Sequence, residues 1–258
     1  LFIRRGALAA IAAVLCLCTL SVGSHAEAAS TNNPCSLLLA ACGAALRRYL
    51  TEIEQLPSRS LVGSIPVALP RDANAAGGNA ISFANVRLGT DIEDVRERFE
   101  MIRRSSAAGR EYLKQMSPTA LMDYTVLISS PQMLTRLPGM GSRVPPIYNV
   151  IISNVPGPRG KLYFLGAEME AYFPISALAH GQALNITVMS YAGGLYFGFT
   201  ACPDRVPSVQ RLAVYTGEAL DELEAVFVGA ARPRRKPAKT RAAKTRATKA
   251  AAARATRR

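Results

Sequence analysis

"IYNVIISNVPGPRGKLYFLG", residues 147–166, sets the fold question for the whole chain. A run of β-branched and apolar residues enters Asn-Val-Pro-Gly-Pro-Arg-Gly and leaves as a second apolar run. Val, Ile, Tyr and Phe suit a pleated, buried strand, and the Pro/Gly cluster punctuates it. Pro156 fixes φ near the value a turn needs, and Gly157 is free to take a positive φ. Pro158 removes a further backbone donor and drives Gly157 toward an extended conformation. Asn154 can hydrogen-bond the local backbone. The residues predict a stiff turn between two buried strands, and rigid loops at strand ends are where binding groups are best held.

Downstream, apolar runs at 183–189 and 195–200 predict further strands, beside those at 147–153 and 161–166. A closing helix over about 207–228 carries Val209, Leu212, Tyr215, Leu220, Leu223 and Val226, with acids between them. Upstream, "SLLLAACGAALRRYLTEIEQL" (36–56) spaces Leu38, Cys42, Leu46, Tyr49 and Ile53 by three and four, which predicts an amphipathic helix with one buried stripe. "SIPVALP" (64–70) and "NAISFANVRL" (79–88) read as two strands joined by the loop "RDANAAGG". In the second, Ile81 and Phe83 alternate, followed less regularly by Val86 and Leu88. Thr90 or Asp91 is the expected cap of a helix whose apolar stripe is Ile92, Val95, Phe99 and Ile102. Ser117 caps another helix, from 118 to about 137, apolar enough to be buried or membrane-facing and ended by Pro138, Pro145 and Pro146. This order of strands and helices predicts a mixed, layered α/β fold.

The 258 residues suffice for a sizeable core, and their net charge of +13 suggests an anionic partner. The charge is concentrated at one end. Of 31 Lys+Arg, 12 lie in residues 231–258, which hold no acid, leaving 19 against 18 Asp+Glu in the rest. The body is therefore nearly neutral. The tail has no apolar residue larger than alanine and is expected to be disordered. It suits an anionic membrane or lipid-inclusion surface, or, as a second choice, nucleic acid. Residues 1–30 combine Arg4-Arg5, an apolar run over 7–22 and Ala26-Glu27-Ala28, the pattern of a secretory signal peptide. The first residue is Leu rather than Met, so an artefactual leader is the other reading. The expected division is leader 1–30, folded domain 31–230 and basic tail 231–258.

Outside the leader, Cys35, Cys42 and Cys202 form neither a disulfide framework nor a zinc pattern. The two histidines are His25, in the leader, and His180, before a glycine between two strands, where a turn or surface role is expected. The chain holds no GxSxG, HExxH, P-loop or GxGxxG. No catalytic residue, metal site or resident cofactor is read from these residues.

"SNVPGP", "LNITVMSY" (184–191), "GLYFGF" (194–199) and the closing helix, in that order and spacing, resemble the C-terminal region of the bacterial wax ester synthase/diacylglycerol acyltransferase family. "AALRRYL", "IPVALPR" and "ISFANVRL" resemble its middle segment, so the likeness runs over about 37–223. The resemblance implies one of two similar halves of a chloramphenicol-acetyltransferase-like, coenzyme-A-dependent acyltransferase, with the active site between the halves. It implies acyl-CoA as donor substrate and diacylglycerol or a long-chain alcohol as acceptor. Location in the cytoplasm on a membrane or lipid inclusion follows, or export if the leader is a genuine signal. The family's base is the second histidine of an HHxxxDG motif, which takes the hydroxyl proton. That motif is absent here, and the family's Asn-Asp pair falls on Cys35-Ser36. Both departures lead us to expect a chain without its N-terminal half and inactive alone, either one half of a split enzyme that pairs with a separate N-terminal half-enzyme or a piece of a full enzyme. A non-catalytic lipid-binding protein, or a basic-tail protein that binds membrane or nucleic acid, is the other reading. The substrate-channel candidates implied by the resemblance are Asn154, Pro156, Gly157, Pro158, Asn185, Ser190 and Tyr191.

Overall fold

A twisted sheet with its core-forming helices on one face organises the computed structural model, which describes residues 34–68, 81–134, 147–178 and 181–229. The leader, the basic tail, the 71–78 loop, His180 and the prolines at 138, 145 and 146 lie outside the described residues. The sheet joins β1 (Val62–Ala68), β2 (Ile81–Arg87), β3 (Val150–Val155), β6 (Leu184–Tyr191) and β7 (Gly194–Ala201) in the order β2-β1-β3-β6-β7. The inner pairs β1/β3 and β3/β6 are parallel, and the outer pairs are antiparallel. The fold is mixed α/β, as expected. β6 and β7 are joined by Ala192-Gly193 with φ of 46° and 77°, the positive values a two-residue hairpin turn requires.

α1 (Pro34–Glu52) and α4 (Gln210–Val228) pack on the sheet face formed by Ile65, Val86, Ile152, Ile186, Val188 and Phe197. α1 is buried on more than the single expected stripe: Leu39, Ala40, Ala41 and Ala45 are as inaccessible as Leu38, Cys42 and Tyr49. The reason is that α1 lies under the sheet and is flanked by both α4 and α2 (Val95–Lys114). Its small residues permit close approach, and a Cβ on Gly43 would sit 2.4 Å from the Leu88 carbonyl oxygen.

Two other expectations are corrected. In β2 the buried residues are Ser82, Ala84 and Val86, while Ile81 is 40% exposed and Phe83 half-buried. The small side chains face the helices: Ala84 packs with Leu113 and Leu121, and the Ser82 and Thr125 hydroxyls lie 2.8 Å apart. The cap of α2 is Asp94, whose carboxylate accepts from the Glu97 N–H. Thr90 instead accepts from the Leu61 N–H, and Asp91 pairs with Arg87. Arg98 on α2 is buried despite its charge, because its guanidinium donates to the Ile92 and Glu93 carbonyls and lies 4.0 Å from Glu222.

The apolar helix α3 (Pro118–Leu134) begins at Ser117, whose hydroxyl accepts from the Ala120 N–H. Leu121 is buried, but Met122, Val126, Leu127 and Met133 are exposed, so the helix is covered on one side alone by the described residues. The second apolar run of the opening stretch differs most. It forms β4 (Tyr163–Phe164), paired with β5 (Ala167–Glu168) in a separate hairpin with Leu165 92% exposed at its tip. The stiff turn thus links a buried strand to an exposed hairpin.

Candidate functional site

Strand alternation gives the sheet two unlike faces. The helix face carries the apolar core. On the opposite face, pairing sets Asn85, Ser64, Ile151, Asn185 and Thr200 in one row across all five strands. The next row along β3, β6 and β7 is Ser153, Thr187 and Gly198. Apart from Ile151 and Gly198, these rows are hydrogen-bonding side chains on otherwise apolar strands.

Half of this face is closed by residues 169–178. The Ser176 and Thr187 hydroxyls lie 2.5 Å apart, Thr187 Oγ1 donates to Asn185 Oδ1 at 3.0 Å, and Tyr196 donates to the Glu170 carbonyl. Phe173 meets the Tyr196 ring edge-on at 5.3 Å. Pro174 crosses directly over Gly198, where a Cβ would lie 1.8 Å from the Pro174 carbonyl oxygen. Glycine is required there because the strap touches the strand backbone.

The other half holds a cleft lined by Ser64, Phe83, Asn85, Tyr148 and Ile151 from the sheet side and by Ile128 and Ser129 of α3. Ser64 is 1% exposed, yet its Oγ has no hydrogen-bond partner, and neither has Asn85 Oδ1. Each unmade bond of a buried polar group costs about 1–3 kcal/mol. None of the residues lining the cleft is charged.

The opening motif is anchored beside this face. Gly157 donates its N–H to Ser190 Oγ at 3.1 Å, and a Cβ there would lie 2.1 Å from the Ser190 carbonyl oxygen. The Ala192 N–H donates to the Pro158 carbonyl. Tyr191, buried, accepts from the Leu162 N–H and donates to the Met169 carbonyl, tying both ends of the exposed hairpin to β6. Gly157, Pro158, Ser190 and Tyr191 are therefore brought together, with Pro156 exposed at the turn. Asn154 and Asn185 are not. Asn154 pairs with Val188 and lies exposed on the helix side, whereas Asn185 is buried on the opposite face.

Burial pushes the Cys42 thiol up to about 12, with Cys35 adding to it, and burial also raises Cys35. Neither is a thiolate nucleophile near neutral pH. Among the described residues no group of His, Cys, Asp and Glu could hold a metal ion, and no helix is long and apolar enough to cross a membrane.

Residues 77–224 match the model of the WS/DGAT C-terminal domain. The chain belongs to that family. This WS/DGAT domain is 43% identical over 190 residues to a Mycobacterium tuberculosis protein named, by inference, a diacylglycerol O-acyltransferase, covering 72% of this chain and 38% of that one. A second M. tuberculosis protein named in the same way is 39% identical over 211 residues, covering 82% and 46%. The wax ester synthase/diacylglycerol acyltransferase from Marinobacter aquaeolei VT8 superposes with a TM-score of 0.61 at 31% identity, covering 75% of this chain and 44% of that one. The WS/DGAT domain thus spans less than half the length of each of these relatives.

Ser64 and Asn85 escaped the sequence reading, although a signal exists. Each is a polar residue placed between apolar neighbours in a strand run, "GSIPVA" and "SFANVR". What cannot be read locally is that antiparallel pairing sets them directly opposite each other.

Proposed function

We propose that this chain supplies one wall of the substrate channel of an O-acyltransferase that moves a fatty acyl group from acyl-CoA to diacylglycerol or a long-chain alcohol. The observation that carries the reading is a sheet face of hydrogen-bonding side chains left half-open beside an exposed apolar hairpin. A face of that kind suits a site completed by a second surface. Tyr163, Phe164 and Leu165 on the hairpin, with Tyr172, Phe173 and Ile175 after it, are exposed large apolar side chains in one short stretch, an arrangement typical of contact surfaces. Family membership supports the chemistry, since relatives carry acyltransferase names.

In this reading Asn185 and Thr187 hold the strap that forms the closed part of the wall, and Gly157, Ser190 and Tyr191 hold the hairpin that meets the partner half. The partner supplies the histidine base that this chain lacks and takes the acceptor hydroxyl proton. The hydroxyl oxygen attacks the thioester carbonyl, the C–S bond breaks, and the coenzyme A thiol leaves with a proton.

The test is an assay with acyl-CoA and either diacylglycerol or hexadecanol, using the chain alone and mixed with a family N-terminal half that carries HHxxxDG. Ester formation in the mixture alone is expected. Turnover by the chain alone would overturn the division of labour, and no turnover in the mixture would overturn the channel assignment.

A further inference from the structure

From the Ser64–Asn85 cleft we infer that the open half of the sheet face binds a neutral hydrogen-bond donor, an alcohol or a secondary amide, on a short aliphatic stem. Ser64 Oγ and Asn85 Oδ1 belong to directly paired residues of β1 and β2, and both are without partners in the folded chain. The equivalent polar residue at the other end of the row, Asn185, has its Oδ1 satisfied by Thr187, which in turn meets Ser176 of the strap. The row is the same, and the difference is that, among the described residues, the 169–178 strap stops short of β1 and β2, which meet α3 and Tyr148 across the cleft.

The chemistry of the two atoms selects the ligand. A carboxamide oxygen accepts and cannot donate, so the ligand must offer an N–H or O–H. A serine hydroxyl both donates and accepts, so it can complete the pair with the carbonyl of an amide or the oxygen of an alcohol. Phe83, Ile151 and Ile128 supply an apolar wall for a stem. Among the described residues none lining the cleft is charged, so a neutral polar group suits it. Gln182 donates to the Tyr148 hydroxyl from the side at 2.9 Å, holding that ring at the cleft edge.

This site rests on the channel reading only for the origin of its ligand. An alcohol points to the acyl acceptor, and a secondary amide points to the arm that carries the acyl group. The experiment therefore measures binding without turnover. Isotope-labelled full chain is titrated with 1-octanol, N-methylheptanamide and heptyl methyl ether, followed by shifts at Ser64, Asn85 and Tyr148. The alcohol or the amide is expected to bind roughly tenfold or more tighter than the donor-free ether, the change one unmade hydrogen bond produces. Ser64→Ala with Asn85→Leu is expected to abolish that preference without lowering the melting midpoint, since it removes orphaned groups rather than contacts. If the double variant does not fold, Ser64→Ala alone and the wild-type preference decide the question.

Equal binding of all three probes, or shifts that map elsewhere, would overturn the site. So would a variant that keeps the preference. Preference without acyl transfer in the mixed-half assay would leave the site standing and remove the channel reading. Acyl transfer without preference would do the reverse.

Discussion

The two faces of the central sheet are built from the same strands and have opposite characters. On the helix face Ile152, Ile186 and Val188 are at most 3% exposed and join Leu212 of α4 in one apolar cluster. On the other face Ser64, Asn85, Asn185 and Thr187 alternate with those residues, and part of their hydrogen-bonding capacity is unmet. One face is finished by this chain and accounts for its stability. The other is covered on the β6–β7 side by the 169–178 strap and, among the described residues, holds the cleft beneath α3 on the β1–β2 side. Apolar packing and unmet hydrogen-bonding capacity thus fall on alternate residues of the same strands.

Truncation should separate the faces most sharply. Leu212→Ala on α4 empties a fully buried site, and a loss of about 2–5 kcal/mol is expected from chemical denaturation. Ile151→Ala on the open face removes a half-buried side chain beside the cleft, for which about 1–2 kcal/mol is expected. Equal losses would show that the open face is packed in solution, and the contrast drawn above would fall.

The strap offers a narrower test. Gly198→Ala places a methyl group where the Pro174 carbonyl oxygen lies, and neither backbone can yield without moving the strap. An over-packing cost of about 1–3 kcal/mol is expected. Hydrogen exchange should localise it, with faster exchange over 169–178 and unchanged protection in α1. Protection lost throughout the sheet would mean that the strap is part of the core rather than a cover over it.

Much of this architecture is legible in local sequence. The periodicities of 36–56 and 207–228, the Ala-Gly-Gly turn after Tyr191 and the order of apolar runs suffice to place helices and strands, because each signal lies within one element. The phase of β2 is not legible in this way. Its buried residues are the small Ser82 and Ala84, since α2 and α3 approach closely there, and hydropathy alone favours Ile81 and Phe83. The same limit separates Asn154 from Asn185. Both stand in strand runs that point to one cleft, and only the β3/β6 register sets them on opposite faces. The exposed β4–β5 hairpin reads as a buried strand because its residues are apolar, whereas burial depends on a surface outside its own segment.

The smallest effect is expected where apolar residues are plentiful but uncovered. Met122 and Leu127 on α3 are 70% and 69% exposed, beside Val126 and Met133 on the same uncovered side. In α1 comparable side chains are the core, and hydropathy does not tell the two helices apart. If exposure rather than residue type decides stability, Met122→Ser combined with Leu127→Ser should change the unfolding free energy by no more than about 0.5–1 kcal/mol. The pair should also lessen concentration-dependent self-association in sedimentation, since contiguous exposed apolar side chains promote it. A loss of about 2 kcal/mol or more, the scale of a core truncation, would show that this side of α3 is covered in the folded protein. The surface left unfinished by this chain would then be confined to the β4–β5 hairpin and the open sheet face.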